Sequence, residues 1–233
     1  MGRLFVLEGT DGSGKTTQWN LLFNRLSAEN AFGGVRALTY PDYEKPSSTL
    51  VRMYLGGEFG DSPDDVNAYA ASSFYAVDRC AGWLLDWRRD YLAGRAFIAA
   101  RYTTSNIIHQ MPKLPRGEWD GFIKWLYDYE YSRLGLPEPD MVMLLDMPPE
   151  TTKKLLSRRC AKDGVRRDIH ERDEKYAAQC YDAALYAAEK LGWTRISCTR
   201  DGEPRPVEAI AEDIYGAVMR QDTKTSTKGT VLC

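Results

Sequence analysis

The sequence lacks any run of about 18 consecutive apolar residues, the length that a membrane-spanning helix requires. Neither sign of charge is in excess, because 31 Lys and Arg against 33 Asp and Glu give a net charge of −2. This balance argues against a cationic surface for nucleic acid. The chain opens directly on a strand-like pattern, without a charged leader followed by a long apolar run. We therefore expect a cytoplasmic protein, with the nucleus as an alternative, that binds neither membranes nor nucleic acids.

Cysteine is sparse, and the five cysteines are scattered without a CxxC pair. An odd count at such spacing fits neither a disulfide framework nor a zinc site. Internal repeats and linkers rich in Pro, Gly or Ser are absent from the sequence as well. With 43% hydrophobic and 27% charged residues, the chain can bury a sizeable core. We predict a single domain over residues 1–220 and a mobile polar tail over 221–233.

Short apolar runs alternate with stretches of helical pattern, which is typical of an α/β fold with a parallel sheet. The runs are continuously apolar, as expected of strands covered by helices on both faces. The first, third and fourth runs are the most apolar and are expected at the centre of the sheet. Strands are predicted at 4–8, 35–40, 96–100, 141–146 and 194–198, and helices at 14–28, 64–92, 118–134, 149–160, 171–190 and 206–220.

The clearest motif follows the first strand, where residues 9–16 read GTDGSGKT and match the P-loop pattern GxxxxGK[ST]. A strand precedes the motif and a helical pattern follows it, as a P-loop requires. Backbone N–H groups of such a loop point at phosphate oxygens, and the helix presents its positive end to them. The motif predicts a nucleoside triphosphate site, with Thr16 as the ligand of Mg²⁺. The residues predicted to bind the triphosphate are Gly9, Gly12, Ser13, Gly14, Lys15, Thr16 and Thr17.

Further segments occur in the order seen in thymidylate kinases, which the chain resembles from about residue 3 to residue 216. They are Asp11 in the P-loop, Tyr40-Pro41, FYAVDR at 74–79, ARYTTSNIIHQ at 100–110, GLPEPD at 135–140 and LLDMPPE at 144–150. The resemblance implies a P-loop nucleoside monophosphate kinase fold with a five-stranded parallel sheet in the order 2-3-1-4-5. It also implies transfer of the γ-phosphate of ATP to dTMP, giving dTDP for dTTP synthesis, by an enzyme that is usually a homodimer.

The resemblance assigns the acceptor phosphate to Arg79 and Arg101, which follow apolar stretches at the predicted ligand edge of the sheet. Two guanidinium groups suit a phosphate dianion. The alternative is that they form structural ion pairs, for example with Asp78. Arg52 resembles a further acceptor-side arginine through a looser local match. Tyr40 and Pro41 are also expected at the acceptor site.

For the nucleoside, the resemblance places an aromatic ring beside the base and leaves two candidates, Phe74 and Tyr75. Adjacent helical residues do not face the same way, so at least one of the two rings belongs to the core. The segment that reads the pyrimidine edge in the family corresponds here to Ser105, Asn106 and Gln110. Asp11 is expected to accept a hydrogen bond from the sugar 3′-hydroxyl and, with Lys15 and Arg101, is grouped with the catalytic residues.

A basic segment at about 157–170 is predicted to close over the polyphosphate as a lid. Because the P-loop interior contains no arginine, the resemblance implies a catalytic arginine in the lid, with Arg158, Arg166 and Arg167 as candidates. One departure from the family pattern stands after the third strand, where Ala100 replaces the usual aspartate. Either Asp78 or Asp146 compensates, or the metal is held by Thr16 and water molecules.

Three alternatives remain at the level of sequence. A deoxynucleoside kinase would need a base to deprotonate a 5′-hydroxyl, and Asp42 could serve. A related monophosphate kinase would act on another nucleotide. A nucleotide switch or a catalytically silent relative would bind without turnover, although the Asn/Thr-Lys-x-Asp pattern of Ras-like GTPases is absent from the sequence.

Overall fold

The computed structural model describes residues 1–163 and 174–228, and within these ranges nothing is stated for the side chains of 157–163, 174 and 222–228. A five-stranded sheet forms its centre, with the strands in the order β2-β3-β1-β4-β5 and all neighbours parallel. The predicted sheet order and its three central strands are therefore confirmed. The strands are β1 Arg3–Glu8, β2 Val35–Thr39, β3 Ala96–Ala100, β4 Met141–Asp146 and β5 Thr194–Ser197.

Helices cover both faces of the sheet, and the side chains of β1 alternate between the apolar clusters of the two faces. Leu4 and Val6 pack with Trp87 and Phe122 on one face, and Phe5 packs with residues of the opposite cluster. Every predicted helix is present among the described residues, some interrupted by short turns, and residues 171–173 of the predicted helix 171–190 lie outside them. The α-helices are α1 Lys15–Ala28, α2 Thr49–Gly56, α3 Ala68–Gly82, α4 Arg88–Leu92, α5 Thr104–His109, α6 Trp119–Tyr127, α7 Pro149–Asp163, α8 Glu174–Leu191 and α9 Val207–Lys228.

Several elements differ from the sequence prediction. The helices α2 and α5 and a hairpin of β6 (Thr199–Arg200) and β7 (Glu203–Pro204) were not predicted, because they are too short to show a period. The predicted helix 64–92 is α3 and α4 joined by a π-helical turn at Trp83–Trp87, and a second π-helical turn, Asp128–Arg133, follows α6.

The carboxyl-terminal helix also corrects a prediction. The sequence predicts this helix over 206–220, whereas α9 spans Val207–Lys228 and is therefore longer than predicted. The packed part of α9, which includes Ile210, Ile214 and Val218, nucleates the helix. Extending a helix that is already nucleated adds one backbone hydrogen bond for each further residue. In the part of the chain that the structure describes, no helix combines the length and apolarity needed to cross a bilayer.

The fold brings the carboxyl ends of β1, β3 and β4 to one edge of the sheet. Leu7 pairs with Ala100, and Glu8 pairs with Leu144. Ligands of open parallel sheets bind at this edge, where neighbouring connections turn in opposite directions. The segments that follow β1, β2 and β3 are therefore the ones that meet at a site.

Candidate active site

The loop between β1 and α1 has the backbone geometry of a phosphate cradle. Gly12 and Gly14 adopt left-handed conformations with φ of 79° and 83°, which side chains other than glycine rarely allow. A Cβ on Gly12 would also lie 2.6 Å from Leu156 Cγ. Gly14 caps α1 without a side-chain hydrogen bond, which leaves first-turn N–H groups of the helix available to an anion.

Lys15 is buried at the base of this loop. Its Nζ donates to the carbonyl oxygens of Gly9 and Thr10, both at 2.8 Å, and lies 3.9 Å from Asp11 Oδ1. Thr16 and Thr17 follow in the first turn of α1 and are exposed. The ammonium group is thus held by its own loop, at the position where the motif predicts contact with the β- and γ-phosphates.

A cavity of about 1000 Å³ extends from the phosphate loop along the carboxyl edge of the sheet. It brings together predicted residues that are as far apart in the sequence as Asp11 and Gln110. Three of the predicted residues within 1–156, namely Gly9, Arg52 and Phe74, are not among those that line it. The predicted residues in its wall are Asp11, Gly12, Ser13, Gly14, Lys15, Thr16, Thr17, Tyr40, Pro41, Tyr75, Arg79, Arg101, Ser105, Asn106 and Gln110.

The structure distinguishes between the two aromatic candidates. Tyr75 lines the cavity, whereas the Phe74 ring packs 5.5 Å from the ring of Phe59 and 6.4 Å from that of Tyr54. Arg52 is engaged within its own segment, where its guanidinium donates to the Tyr43 carbonyl at 2.8 Å and to Ser48 Oγ at 2.6 Å.

Arg101 lies at the centre of the cavity wall, directly after β3. Its backbone is left-handed, with φ of 64°, which is unusual for a residue with a long side chain and typical of strained functional positions. The guanidinium pairs with Asp11 through NH2 and contacts His109 Nε2 at 2.7 Å through NH1. Burial lowers the pKa of Arg101, and the charges of Asp11 and Glu8 outweigh this effect, so that its pKa is raised and the cation is stabilised.

Arg79 is fully buried and has a different environment. Its Nε and NH2 donate to the two oxygens of Glu130, at 2.7 and 2.6 Å. Thr103 Oγ1 at 2.9 Å and Asn106 Nδ2 at 3.1 Å donate to the same carboxylate. Asp78, the predicted ion-pair partner, instead accepts from the backbone N–H of Asp42 and from Ser47 Oγ. The charge of Arg79 is therefore compensated inside the protein by a residue that the sequence analysis did not single out.

Glu8 is a second acidic residue of the site that sequence reasoning missed. It is fully buried at the end of β1 and accepts hydrogen bonds from Tyr102 N–H, Thr104 Oγ1 and Ser105 Oγ, at 3.1, 2.7 and 2.6 Å. These bonds attach the start of α5 to the strand that precedes the phosphate loop. The sequence did contain a signal for this role: Glu8 ends an otherwise apolar strand, and a buried carboxylate requires hydrogen-bonding partners.

Gln110 is the polar residue of the cavity with the least internal compensation. It is fully buried, and both its amide oxygen and its amide nitrogen have no hydrogen-bond partner among the described residues. Buried amides are almost always satisfied, so an unsatisfied one at a cavity indicates a ligand or ordered water. Asn106, one helical turn earlier, has its Nδ2 occupied by Glu130 and by the Ser72 carbonyl.

Carboxylates that could replace the family aspartate at Ala100 are engaged elsewhere. Asp146 accepts from Tyr181 Oη at 2.7 Å and from Arg195 NH2 at 2.6 Å. Within residues 1–163 and 174–228 no group of three or more His, Cys, Asp or Glu side chains is arranged to hold a metal ion. Of the lid candidates, Arg158 lies in α7 at a position whose side chain is not described, and Arg166 and Arg167 lie outside the described residues.

Fold and site together define a P-loop kinase, in which a glycine-rich phosphate loop and Arg101 line one cavity. The family model described as thymidylate kinase matches residues 7–213. A thymidylate kinase of Mycobacterium tuberculosis (strain H37Rv) is 31% identical over 195 residues, which is 82% of this chain and 87% of that protein. A protein of invertebrate iridescent virus 6, described as a putative thymidylate kinase, is 27% identical over 86% of this chain and 82% of its own length.

A solved structure of the thymidylate kinase from Candida albicans has the same fold. The TM-score is 0.67 at 19% sequence identity, and the match covers 95% of this chain and 92% of that one. The chain belongs to the thymidylate kinase family and is an ATP-dependent phosphotransferase.

Proposed function

We propose that the protein transfers the γ-phosphate of ATP to dTMP, giving dTDP and ADP. The observation that carries this proposal is the single cavity in which the phosphate loop, Arg101, Tyr75 and Gln110 all meet. A phosphate acceptor is already an anion and needs cations around it, whereas a neutral hydroxyl acceptor needs a base. Arg101 beside Lys15 supplies the first kind of environment.

The acceptor assay tests this proposal directly. ATP-to-ADP turnover is measured with Mg²⁺ and with dTMP, dUMP, dCMP, dGMP or thymidine as acceptor. We expect turnover with dTMP and none with thymidine. Turnover with thymidine and none with dTMP would establish a nucleoside kinase, for which Asp42, a residue of the cavity wall, is the candidate base. Binding of dTMP and ATP without turnover would identify a silent relative and direct attention to Ala100.

On the donor side, we propose that the backbone N–H groups of residues 12–17 and Lys15 hold the polyphosphate. Thr16 fits a magnesium site, because its hydroxyl is exposed in the first turn of α1 and lines the cavity. Mg²⁺ commonly keeps several waters and few protein ligands, so one hydroxyl together with the phosphates is a sufficient donor set. When bound, the metal neutralises charge on the β- and γ-phosphates. The lid arginines Arg158, Arg166 and Arg167 are proposed to add to this neutralisation.

On the acceptor side, the two predicted arginines are proposed to act differently. Arg101 is partly exposed at the cavity wall, where it shares the Asp11 carboxylate with Lys15, so that two cations lie beside one negative charge. It is proposed to hold the dTMP phosphate. Arg79 is neutralised by Glu130, which makes it a weak ligand for a dianion but leaves it able to donate to a neutral carbonyl of the base. Asp11, positioned by Arg101, is proposed to accept from the sugar 3′-hydroxyl.

The base is proposed to stack on Tyr75 and to be read by Gln110. A primary amide offers one donor and one acceptor side by side, which matches the N3–H and a neighbouring carbonyl of thymine. We expect Gln110→Leu to raise KM for dTMP about tenfold or more, since the base would lose two buried hydrogen bonds. KM for ATP is measured in the same series and should stay within about twofold, because the donor binds elsewhere.

Gln110→Glu is a second variant of nearly the same shape that tests the same prediction. It retains the shape and one acceptor but loses the amide donor, so it should also bind dTMP poorly. An unchanged KM for dTMP in both variants would exclude Gln110 from base recognition and leave an ordered water as its partner.

A homodimer is proposed from the exposed apolar face of the helical stretch 68–92. Val77, Leu84, Leu85 and Leu92 are 47%, 57%, 87% and 54% exposed, and their spacing of seven and eight residues places them on one face. Trp83 and Trp87 of the same stretch are buried in the core and do not belong to this face. A second copy of the chain would cover this face by an isologous contact. The cytoplasmic location stays a prediction.

Replacing Leu85 by glutamate should separate this dimer. Each copy would place a charge in the other's apolar contact, so the dimerisation Kd should rise at least about a hundredfold. Sedimentation velocity measures the change, and the fold should tolerate it because Leu85 is 87% exposed. Leu21→Glu, at a 39% exposed leucine of α1, is the control that should leave the oligomeric state unchanged. A wild-type chain that sediments as a monomer would contradict the proposal.

A further inference from the structure

His109 contacts the arginine that the proposed function places on the acceptor phosphate. Its ring lies at the end of α5 and lines the cavity, and it is 7% exposed. The Nε2 atom lies 2.7 Å from NH1 of Arg101. A guanidinium has N–H donors and no acceptor, so the imidazole must accept through Nε2 and carry its proton on Nδ1. The contact therefore requires an unprotonated histidine of one tautomer.

The backbone of His109 is fixed independently of its ring. Tyr176, a buried residue near the start of α8, donates its hydroxyl hydrogen to the His109 carbonyl oxygen. The helices α5 and α8 also pack along each other, so the ring is presented from a supported position. An imidazole on a fixed backbone can orient the flexible side chain of Arg101.

The guanidinium of Arg101 is held from two sides as a result. Asp11 accepts from NH2 and His109 accepts from NH1, and together these contacts fix the plane of the guanidinium. The other N–H donors of the fork remain for a phosphate. Asp11 already balances the charge of Arg101, so a carboxylate at position 109 would add a second negative charge beside the proposed phosphate site. A neutral imidazole orients Arg101 without reducing its charge.

We propose that His109 is a positioning residue, which holds Arg101 toward the acceptor phosphate through an unprotonated Nε2. This inference rests on the proposed role of Arg101. The expected effect is on the binding of dTMP alone, since the donor phosphates are proposed to bind at the phosphate loop that contains Lys15. Nothing in the sequence motif requires a histidine at this position, and its role follows from the contact.

Two variants separate positioning from packing. His109→Leu keeps much of the volume and removes the acceptor, and we expect KM for dTMP to rise about tenfold or more with KM for ATP within about twofold. His109→Gln restores an acceptor at the place of Nε2 and should bring KM for dTMP back to within about threefold of the wild type. A Leu variant with wild-type KM for dTMP, or a Gln variant no better than Leu, would overturn the proposal.

Two further measurements close the design. In ¹⁵N spectra of histidine-labelled protein, the signals lost in His109→Gln should show an unprotonated Nε2 and a protonated Nδ1 at neutral pH, and an imidazolium there would overturn the proposal. Arg101→Ala separately tests the proposed role of Arg101 in binding the dTMP phosphate. If it leaves KM for dTMP unchanged, the proposed role of Arg101 is wrong; if it raises KM while His109→Leu does not, the inference about His109 alone is wrong.

Discussion

Replacing Lys15 by alanine is expected to lower kcat with dTMP and ATP by about 10²–10³-fold or more. Lys15 is the buried cation of the phosphate loop, and a preorganised cation or donor at a site of developing charge is typically worth this much. The charge on the transferring phosphoryl group develops in the transition state, so the loss should appear in kcat more than in KM. Steady-state kinetics with the coupled ADP assay measures both constants.

The same substitution removes two loop contacts, since Lys15 Nζ donates to the carbonyls of Gly9 and Thr10. Thermal unfolding therefore accompanies the kinetics and establishes that the variant is folded at the assay temperature. Lys124→Ala, at an exposed lysine of α6, is the matched control and should keep full activity. A folded Lys15→Ala variant with wild-type kcat would show that the loop does not hold the donor during transfer.

The second large effect is expected on stability. Glu130→Leu should lower the free energy of unfolding by about 3–5 kcal/mol, because it leaves the Arg79 charge buried and unpaired. Burial lowers the pKa of Arg79, and the charge of Glu130 and its hydrogen bonds reverse this effect, so the pKa is raised in the folded protein. Without Glu130, the two contributions that oppose burial most strongly are lost, and the cation is disfavoured. Urea unfolding of the wild type and the variant measures the difference.

Two controls define what the Glu130 result means. In the double variant Arg79→Met with Glu130→Leu, both charges are gone, and much of the lost stability should return. Asp128→Ala removes an exposed ion pair with Arg133, in the same π-helical turn, and should cost less than about 1 kcal/mol. If Glu130→Leu were no more destabilising than Asp128→Ala, the buried pair of Arg79 and Glu130 would not make the contribution to stability that its geometry indicates.

Much of the fold could be read from the sequence because its signals are local. The five apolar runs lie within a few residues of the observed strands, and the glycine pattern at 9–14 matches a loop whose left-handed residues are glycines. The helices α2 and α5 escaped prediction since six or eight residues do not establish a period. The sheet order came from the family resemblance, which rests on six separate segments of the sequence.

The candidate site could be read only in part. The sequence placed Asp11, Arg79, Arg101 and Gln110 among the site residues, and all four line the cavity. It could not find the partner of Arg79, because Glu130 is 51 residues away in a segment without a motif. Nor could it exclude Arg52, whose hydrogen bonds to Tyr43 and Ser48 depend on how one loop folds back.

The sequence by itself determined the nucleotide-binding loop, the strands and the family, since each depends on residue types at fixed short spacing. Only the tertiary structure decided that Tyr75 rather than Phe74 faces the cavity, that Glu130 neutralises Arg79, and that Asp11 and His109 hold Arg101. Arg101 and Asp11 are 90 residues apart. Such pairings depend on how strands and helices pack, and packing is a property of the whole chain that short sequence patterns do not encode.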